Sequence, residues 1–386
     1  MSNKKSLSLG SVKWKHYINY IAIGAITVIF SLLGIFGLLP RSAEVNLEKI
    51  AISMILALSL SLVVGFLGEL SLGHAGFMCV GAYLGGKISA ILVPTLGNNS
   101  ILALLVSLIV GGLCAGICGF IIGLPALRLK GDYLAITTLA FGEIVRTIFQ
   151  NTSAETFGGP IGLTTPRFNR QYFFIICFAI VLLTLFVIQN LLRSKHGRAI
   201  TAIRDNEIAA KATGINVTTY KLIGFIVSAI FAGIAGVLFS YTQNNVQSIT
   251  FDYNYSIEIL VIVVLGGMGN ITGSLIAATA VTLLNNELAT ILTGDLSVLK
   301  DMIYALVLIL IVIYNNAPAL KNFREKYSLS KLLKLRAKNQ NKPSGDDTGR
   351  WDVVPTKIKM DAILSTDFVV NNIEPDTSDK PKEDKQ

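Results

Sequence analysis

The sequence predicts an all-α polytopic membrane protein of roughly 8–10 transmembrane helices. Three observations carry that prediction. Apolar residues make up 52% of the chain and charged residues only 15%, against about 25% charged in a soluble domain. Mean hydropathy is +0.61. The apolar residues are also contiguous, in runs close to the roughly 20 residues that cross a ~30 Å hydrocarbon layer. A larger soluble core does not account for this, because surface grows with chain length and has to be covered.

Residues 1–17 are a basic start, with Lys4, Lys5, Lys13 and Lys15 ahead of the run Ile18–Leu39. That run is too long for a signal-peptide core and no small-residue cleavage site follows, so it is expected to remain as the first crossing. Further crossings fit Ile50–Leu67, Gly73–Val93, Ile101–Gly123, Tyr133–Phe149, Tyr172–Leu192 and Leu222–Tyr241. Ile257–Ile291 is long enough for two shorter ones, and Met302–Tyr314 closes a membrane domain over 18–320. Within it, Val261–Asn270 breaks at Gly266, Gly267 and Gly269, which predicts an interrupted or re-entrant helix. Residues 321–342 form a basic, partly amphipathic juxtamembrane stretch suited to anionic headgroups. Residues 343–386, rich in Asp, Lys, Pro and Ser, read as a disordered polar tail.

Lys and Arg collect on the cytoplasmic side of a membrane protein. Here they cluster at the start, at Arg128 and Lys130, in the loop 193–221 and at 321–338. Counting crossings between these clusters with both termini cytoplasmic gives consistent parity at each, and favours about ten crossings. The chain is thus placed as a multi-pass protein of the cytoplasmic membrane. Its net charge of +9 is explained by this rule, with no nucleic-acid partner implied. Cys79, Cys114, Cys118 and Cys177 all lie in apolar runs without nearby His or carboxylate, so they are expected to pack rather than bind metal or pair.

Nucleotide and catalytic motifs are missing: no phosphate-binding Gly-x-x-x-x-Gly-Lys-Ser/Thr, no His-Glu-x-x-His, no Gly-x-Ser-x-Gly. With three histidines the acid–base supply is also thin. No enzyme activity, cofactor or metal is expected, and any ATP hydrolysis falls to a partner. The loop 193–221 is the most informative segment. It begins as a short amphipathic helix with Ile200 and Ile203, continues through Ala209 and Ala210, and meets a C-cap glycine at Gly214. Such a helix fits a groove on a partner protein; a solvated connector that merely obeys the charge rule reads the same way.

The loop resembles the coupling loop of ABC importer permeases, whose pattern is Glu-Ala-Ala, three residues, then Gly. Ala209, Ala210 and Gly214 hold that spacing, with Ile208 in place of the Glu and Glu207 one position early. The phrase Ala202–Val217 is similar to the branched-chain amino-acid ABC transporter permeases in particular. Gly68-Glu-Leu-Ser-Leu-Gly-His74 resembles a family segment in which Gln is usual where Glu69 stands. Leu124–Ile144, Gly158–Leu163 and Ser256–Gly269 agree as well. The resemblance implies a non-enzymatic importer subunit with a second related permease as heterodimer partner. It further implies two cytoplasmic ATPase subunits and an extracytoplasmic substrate-binding protein. Arg204, Asp205, Glu207, Ala209, Ala210 and Gly214 are then expected to couple to the ATPases.

Pathway candidates are polar groups at lipid depth, which are costly there and usually face a cavity or partner. Glu143 either faces the pathway or forms a structural pair with Arg146, three residues on. Ser71 and His74 either line the route or bond to neighbouring helices. Thr137 and Thr138 either offer hydroxyls to cargo or bond back to their own helix. Gly266 and Gly267 are candidates for backbone contact with substrate. The pairs Gly81/Gly85, Gly112/Gly116 and Gly119/Gly123 are expected to be packing seams. Other cargo (urea or amides, nucleosides, simple sugars) would leave this pattern unchanged, and an ion-coupled secondary transporter is the rival from another class.

Overall fold

With no water at hydrocarbon depth, a spanning chain satisfies its backbone polar groups internally, and the apolar runs therefore become helices. The computed structural model describes residues 18–35, 40–97, 100–129, 131–166, 170–243, 245–291, 302–306 and 309. The basic start 1–17, Lys130, most of the run 302–314, the juxtamembrane stretch 321–342 and the tail 343–386 lie outside the described residues.

The helices are α1 (Ile18–Ile35), α2 (Arg41–Leu60), α3 (His74–Leu96), α4 (Ile101–Ala126), α5 (Asp132–Asn151) and the short α6 (Ala154–Phe157). They continue as α7 (Arg170–Arg193), α8 (Lys195–Asp205), α9 (Glu207–Ala212), α10 (Val217–Thr242), α11 (Tyr253–Gly266) and α12 (Ile271–Ile291). Two-residue strands β1 (Leu163–Thr164) and β2 (Asn245–Val246) pair antiparallel with Leu163 opposite Val246. Among the described residues, six helices are long and apolar enough to cross a membrane, and α1 and α11 supply shorter apolar helices. The protein is an all-α polytopic membrane protein. α5 has the length of a crossing but carries Asp132, Glu143 and Arg146.

Most of these bounds follow the apolar runs, and α2 begins earlier than its run, at Arg41 instead of Ile50. The added turns bring Glu48 and Lys49 into the bundle, where Lys49 Nζ meets Asn286 Oδ1 of α12 at 3.5 Å. α2 is the most buried span and packs against α7, α10, α11 and α12. It does not end cleanly: Ser61–Leu67 widen into a π-helical segment, Gly68 adopts φ 80°, and residues 68–73 are non-helical before α3 starts. The interruption expected at Gly266–Gly269 is a reversal. α11 stops at Gly266, the turn uses Gly267 and Gly269 at positive φ, and α12 returns beside α11. A Cβ on Gly266 would lie 2.5 Å from the backbone N of Ser274, so the hairpin closes only without one.

α3, α4 and α10 pack through their small residues. A Cβ on Gly81 would run into the carbonyl oxygen of Gly233, and one on Gly236 into that of Met78. A Cβ on Gly119 would sit 2.6 Å from Ala229 Cβ. Close backbone approach of this kind substitutes for hydrophobic driving force inside lipid. The outward face of α4 shows Ile109, Leu113, Ile117 and Ile121, an apolar stripe suited to acyl chains.

Long-range hydrogen bonds fix which helix ends lie together. Thr272 Oγ1 donates to Asn19 Oδ1 at 3.0 Å, and Arg204 Nη1 to the Gly65 carbonyl at 3.0 Å. The starts of α1, α10 and α12, the ends of α2, α7 and α11, and α8–α9 therefore share one end of the bundle, while α3 starts deeper, where Ala75 N meets Ser256 at the start of α11. Arg128 lines a hollow with Glu207 and Lys221 at that same end. The basic clusters at Arg128 and 193–221 thus stand together, as the parity count requires. At the opposite end Tyr83 donates to the Val246 carbonyl at 3.1 Å, and Thr165 to that of Ser240 at 2.5 Å.

Candidate functional site

The loop between α7 and α10 is fully folded. Ser194 caps α8, its oxygen accepting from Gly197 N at 3.2 Å. Ile200 and Ile203 are buried against the bundle, as the apolar spacing demands. Asn206 breaks the helix and caps α9 by accepting from Ala209 N at 3.0 Å. Gly214, at φ 86°, ends α9 in a Schellman arrangement: Gly214 N donates to Lys211 O and Ile215 N to Ala210 O, both at 3.1 Å. Asn216 then caps α10, accepting from Thr219 N at 3.3 Å.

This folding sorts the candidate coupling residues into two faces. Asp205, Ala209 and Gly214 are exposed, Ala210 is buried, and Ile208 is the outermost large side chain at 81% exposure. Arg204 and Glu207 reach inward. Arg204 bonds Gly65 in the π segment, pairs with Asp205 at 2.9 Å, and lies under Gly68 so closely that a Cβ there would meet Arg204 Cγ at 2.7 Å. Glu207 Oε2 accepts from Lys221 Nζ at 3.2 Å, and the same ammonium is bonded to Glu69. Lys221 is 4% exposed and Glu69 only 12%. Lys221 and Glu69 form a nearly dry pair in which removing either partner leaves the other stranded, while Glu207, at 36% exposure, keeps the second negative charge partly in water.

On the far side of the break, Thr138 and His74 tie the start of α3 to α5 and α10, while Thr137 and Ser71 make no bond to another helix among the described residues. Thr138 of α5 accepts from Leu72 N and bonds back to Ala135 O, both at 3.0 Å. Thr137 bonds back to Tyr133 O at 2.8 Å. His74 Nε2 lies 2.8 Å from Ser228 Oγ, which donates to the Ser59 carbonyl at 2.5 Å. Ala75 N donates to Ser256 Oγ of α11 at 3.1 Å. The Ser71 hydroxyl is buried without a hydrogen-bond partner among the described residues. Gly266 and Gly267 are in the α11–α12 turn at the coupling-loop end, near Gly65 through Gly269.

Glu143 accepts from Arg146 Nε at 2.8 Å and, through its other oxygen, from Tyr253 N at 3.0 Å. A carboxylate facing the first N–H groups of α11 is favoured by the helix dipole. It also borders an open hollow of about 440 Å³ with Ile144, Thr147, Ile148 and Asn151 on the outward face of α5. Glu143→Gln keeps the shape and removes the charge; it is expected to lower thermal stability by about 1–2 kcal/mol. A melting curve equal to wild type would show that α11 does not depend on this carboxylate.

Several residues of this region escaped the sequence reading. In the sequence Lys221 reads only as the end of a loop, and nothing local marks Ser228, Ser256 or Glu258. Glu258 accepts from Asn285 Nδ2 at 3.0 Å and from Tyr304 at 3.3 Å, joining α11 to α12 and to the short stretch after it. The available signal was Glu69 itself, a charge where the family pattern carries an amide, which asks for a cation. All four cysteines are unpaired, and among the described residues no group of three or more His, Cys, Asp or Glu is placed to hold a metal ion.

The pattern of the branched-chain amino acid transport system permease component family matches residues 45–312. The chain belongs to this family. Among curated relatives it is 37% identical over 286 residues to the high-affinity branched-chain amino acid transport system permease protein LivM of Salmonella typhimurium. The LivM protein of Escherichia coli K12 gives the same identity and span. Each match covers 64% of this chain and 65% of the relative. The chain thus spans about two thirds of the length of these relatives. The ribose import permease protein RbsC of Escherichia coli K12 is 27% identical over 293 residues, 70% of this chain and 84% of that protein. These relatives are permeases of transport systems, not enzymes. No solved structure matches the chain.

Proposed function

We propose that the chain is the permease subunit of an ATP-driven ABC importer that moves branched-chain aliphatic amino acids across the cytoplasmic membrane by alternating access. The observation that carries this reading is the folded α8–α9 loop. It holds the coupling-loop spacing of Ala209, Ala210 and Gly214, and it presents Ile208 to solvent at the basic end of the bundle. On this reading that end, with both termini, is cytoplasmic. Ile208 and the small residues beside it seat in an ATPase subunit, one for each of two permeases. The second, related permease completes the pathway along the outward face of α5, and an extracytoplasmic binding protein delivers cargo at the β1–β2 end. Affinity then resides in the binding protein, and the pore has only to pass a zwitterion with an aliphatic side chain.

Cargo is tested by uptake of radiolabelled leucine with and without the gene, competed by isoleucine, valine, alanine, urea and ribose. Restored uptake competed by the aliphatic amino acids supports the proposal. Ribose deserves its place because the RbsC match covers more of both chains than the LivM matches do; competition by ribose alone would move the cargo to sugars. ATP coupling has its own test. Gly214→Val meets nothing within 4 Å but forces a β-branched residue to φ 86°, a strain of about 1–2 kcal/mol. That is enough to undo α9 without unfolding the bundle. The variant is expected to insert normally and to lose stimulation of the partner ATPases, and wild-type stimulation would remove α9 from the coupling.

A further inference from the structure

The α2–α3 break is the least regular backbone in the bundle core, and the coupling loop holds it at two points. Arg204 of α8 bonds the Gly65 carbonyl inside the π segment. Lys221, near the start of α10, is bonded at once to Glu69 in the break and to Glu207 of α9. π segments and left-handed glycines are places where a helix changes path at little cost. Beyond them, Leu72 N, His74 and Ala75 N bond Thr138 of α5, Ser228 of α10 and Ser256 of α11.

We propose that Glu69, Lys221 and Glu207 form the joint that transmits displacement of α9 to the α2–α3 break, and through it to α5 and α11. This rests on the importer reading above and names positioning residues within it. Lys221 is anchored on α10, which is locked to α3 and α4 by the glycine seam. The cation is therefore a fixed post with a carboxylate on each side. When α9 shifts against it, the Glu207 arm lengthens, the ammonium is left to Glu69 alone, and the field on the break changes. Arg204 supplies a parallel mechanical tie from α8. Glu69 lies inside the loop at 12% exposure, so its part in the joint is separate from any docking of α9 on a partner.

The test uses the reconstituted complex of this chain with its partner permease, ATPase subunits and binding protein. The readout is cargo moved per ATP hydrolysed, with ATPase association measured in the same preparation. Wild type has to show ATP-dependent uptake first; failure there overturns the importer reading and leaves no joint to test. Given wild-type uptake, Glu69→Gln and Glu207→Gln are each expected to lower the ratio by about fivefold or more, with association intact. Lys221→Arg, which keeps a cation between the carboxylates, is expected to keep most of it. An unchanged ratio in both Gln variants overturns the proposal. So does loss of ATPase association in Glu207→Gln with a normal ratio in Glu69→Gln, which would make Glu207 a docking residue. A purely structural role predicts less folded complex at an unaltered ratio, and that result also counts against the joint.

Discussion

Gly81→Val is expected to abolish recovery of monodisperse protein from detergent, while Gly224→Ala leaves recovery at the wild-type level. A Cβ on Gly81 would fall on the backbone of Gly233, with Cα at 2.5 Å and the carbonyl carbon at 2.6 Å. Backbone on the opposing helix cannot rotate out of the way as a side chain does. Nor can α3 and α10 separate locally, because Gly236 lies against the Met78 carbonyl and a Cβ on Gly111 would meet Gly81 O at 3.0 Å. Overpacking typically costs about 1–3 kcal/mol and more where strain cannot relax. In lipid this packing is also a main force holding helices together. At Gly224 the added methyl would sit 3.8 Å from Ile200 Cδ1 and Leu67 Cδ2, an ordinary contact. Size-exclusion profiles and melting curves of the two variants decide the matter. A folded, wild-type-like Gly81→Val would mean that the seam is looser than the backbone geometry allows.

Lys221→Met comes next in expected effect. It fills similar volume but leaves Glu69, almost out of solvent, without its cation. Breaking a buried pair from one side costs about 3–5 kcal/mol. Glu207, at 36% exposure, is wetted and adds little to that figure. The double variant Lys221→Met with Glu69→Gln removes the stranded charge and is expected to recover most of the lost stability. The melting temperatures of wild type, both single variants and the double variant complete a mutant cycle that isolates the pair. If the double variant melts no higher than Lys221→Met alone, the stranded carboxylate is not the source of the loss.

The bundle was largely legible because lipid imposes one simple demand, and contiguous apolar runs such as Ile101–Gly123 and Leu222–Tyr241 meet it visibly. The end of α9 was legible too, since only a glycine sits comfortably at the φ of Gly214. Contacts between distant segments were not. Nothing local to Glu69 says that its partner is Lys221, nor does anything at Gly65 announce Arg204. The inward turn of Arg204 and Glu207 depends on how α8 and α9 bend at Asn206, which spacing alone leaves open. The π segment has no signature either, because Ser61–Leu67 reads as ordinary apolar helix. The reversal at Gly266–Gly269 was seen as a break without its direction, which is set by Gly266 lying against Gly273 and Ser274.

α5 also carries a consequence for the life of the protein in the cell. It spans the bundle with Asp132, Glu143 and Arg146 aboard, and its outward face mixes Thr147 and Asn151 with Ile144 and Ile148. Acyl chains solvate such a face poorly. If the proposed second permease covers this face, a subunit made without it keeps a poorly lipidated stripe. On that proposal its steady-state abundance would follow the supply of the second permease as well as its own synthesis.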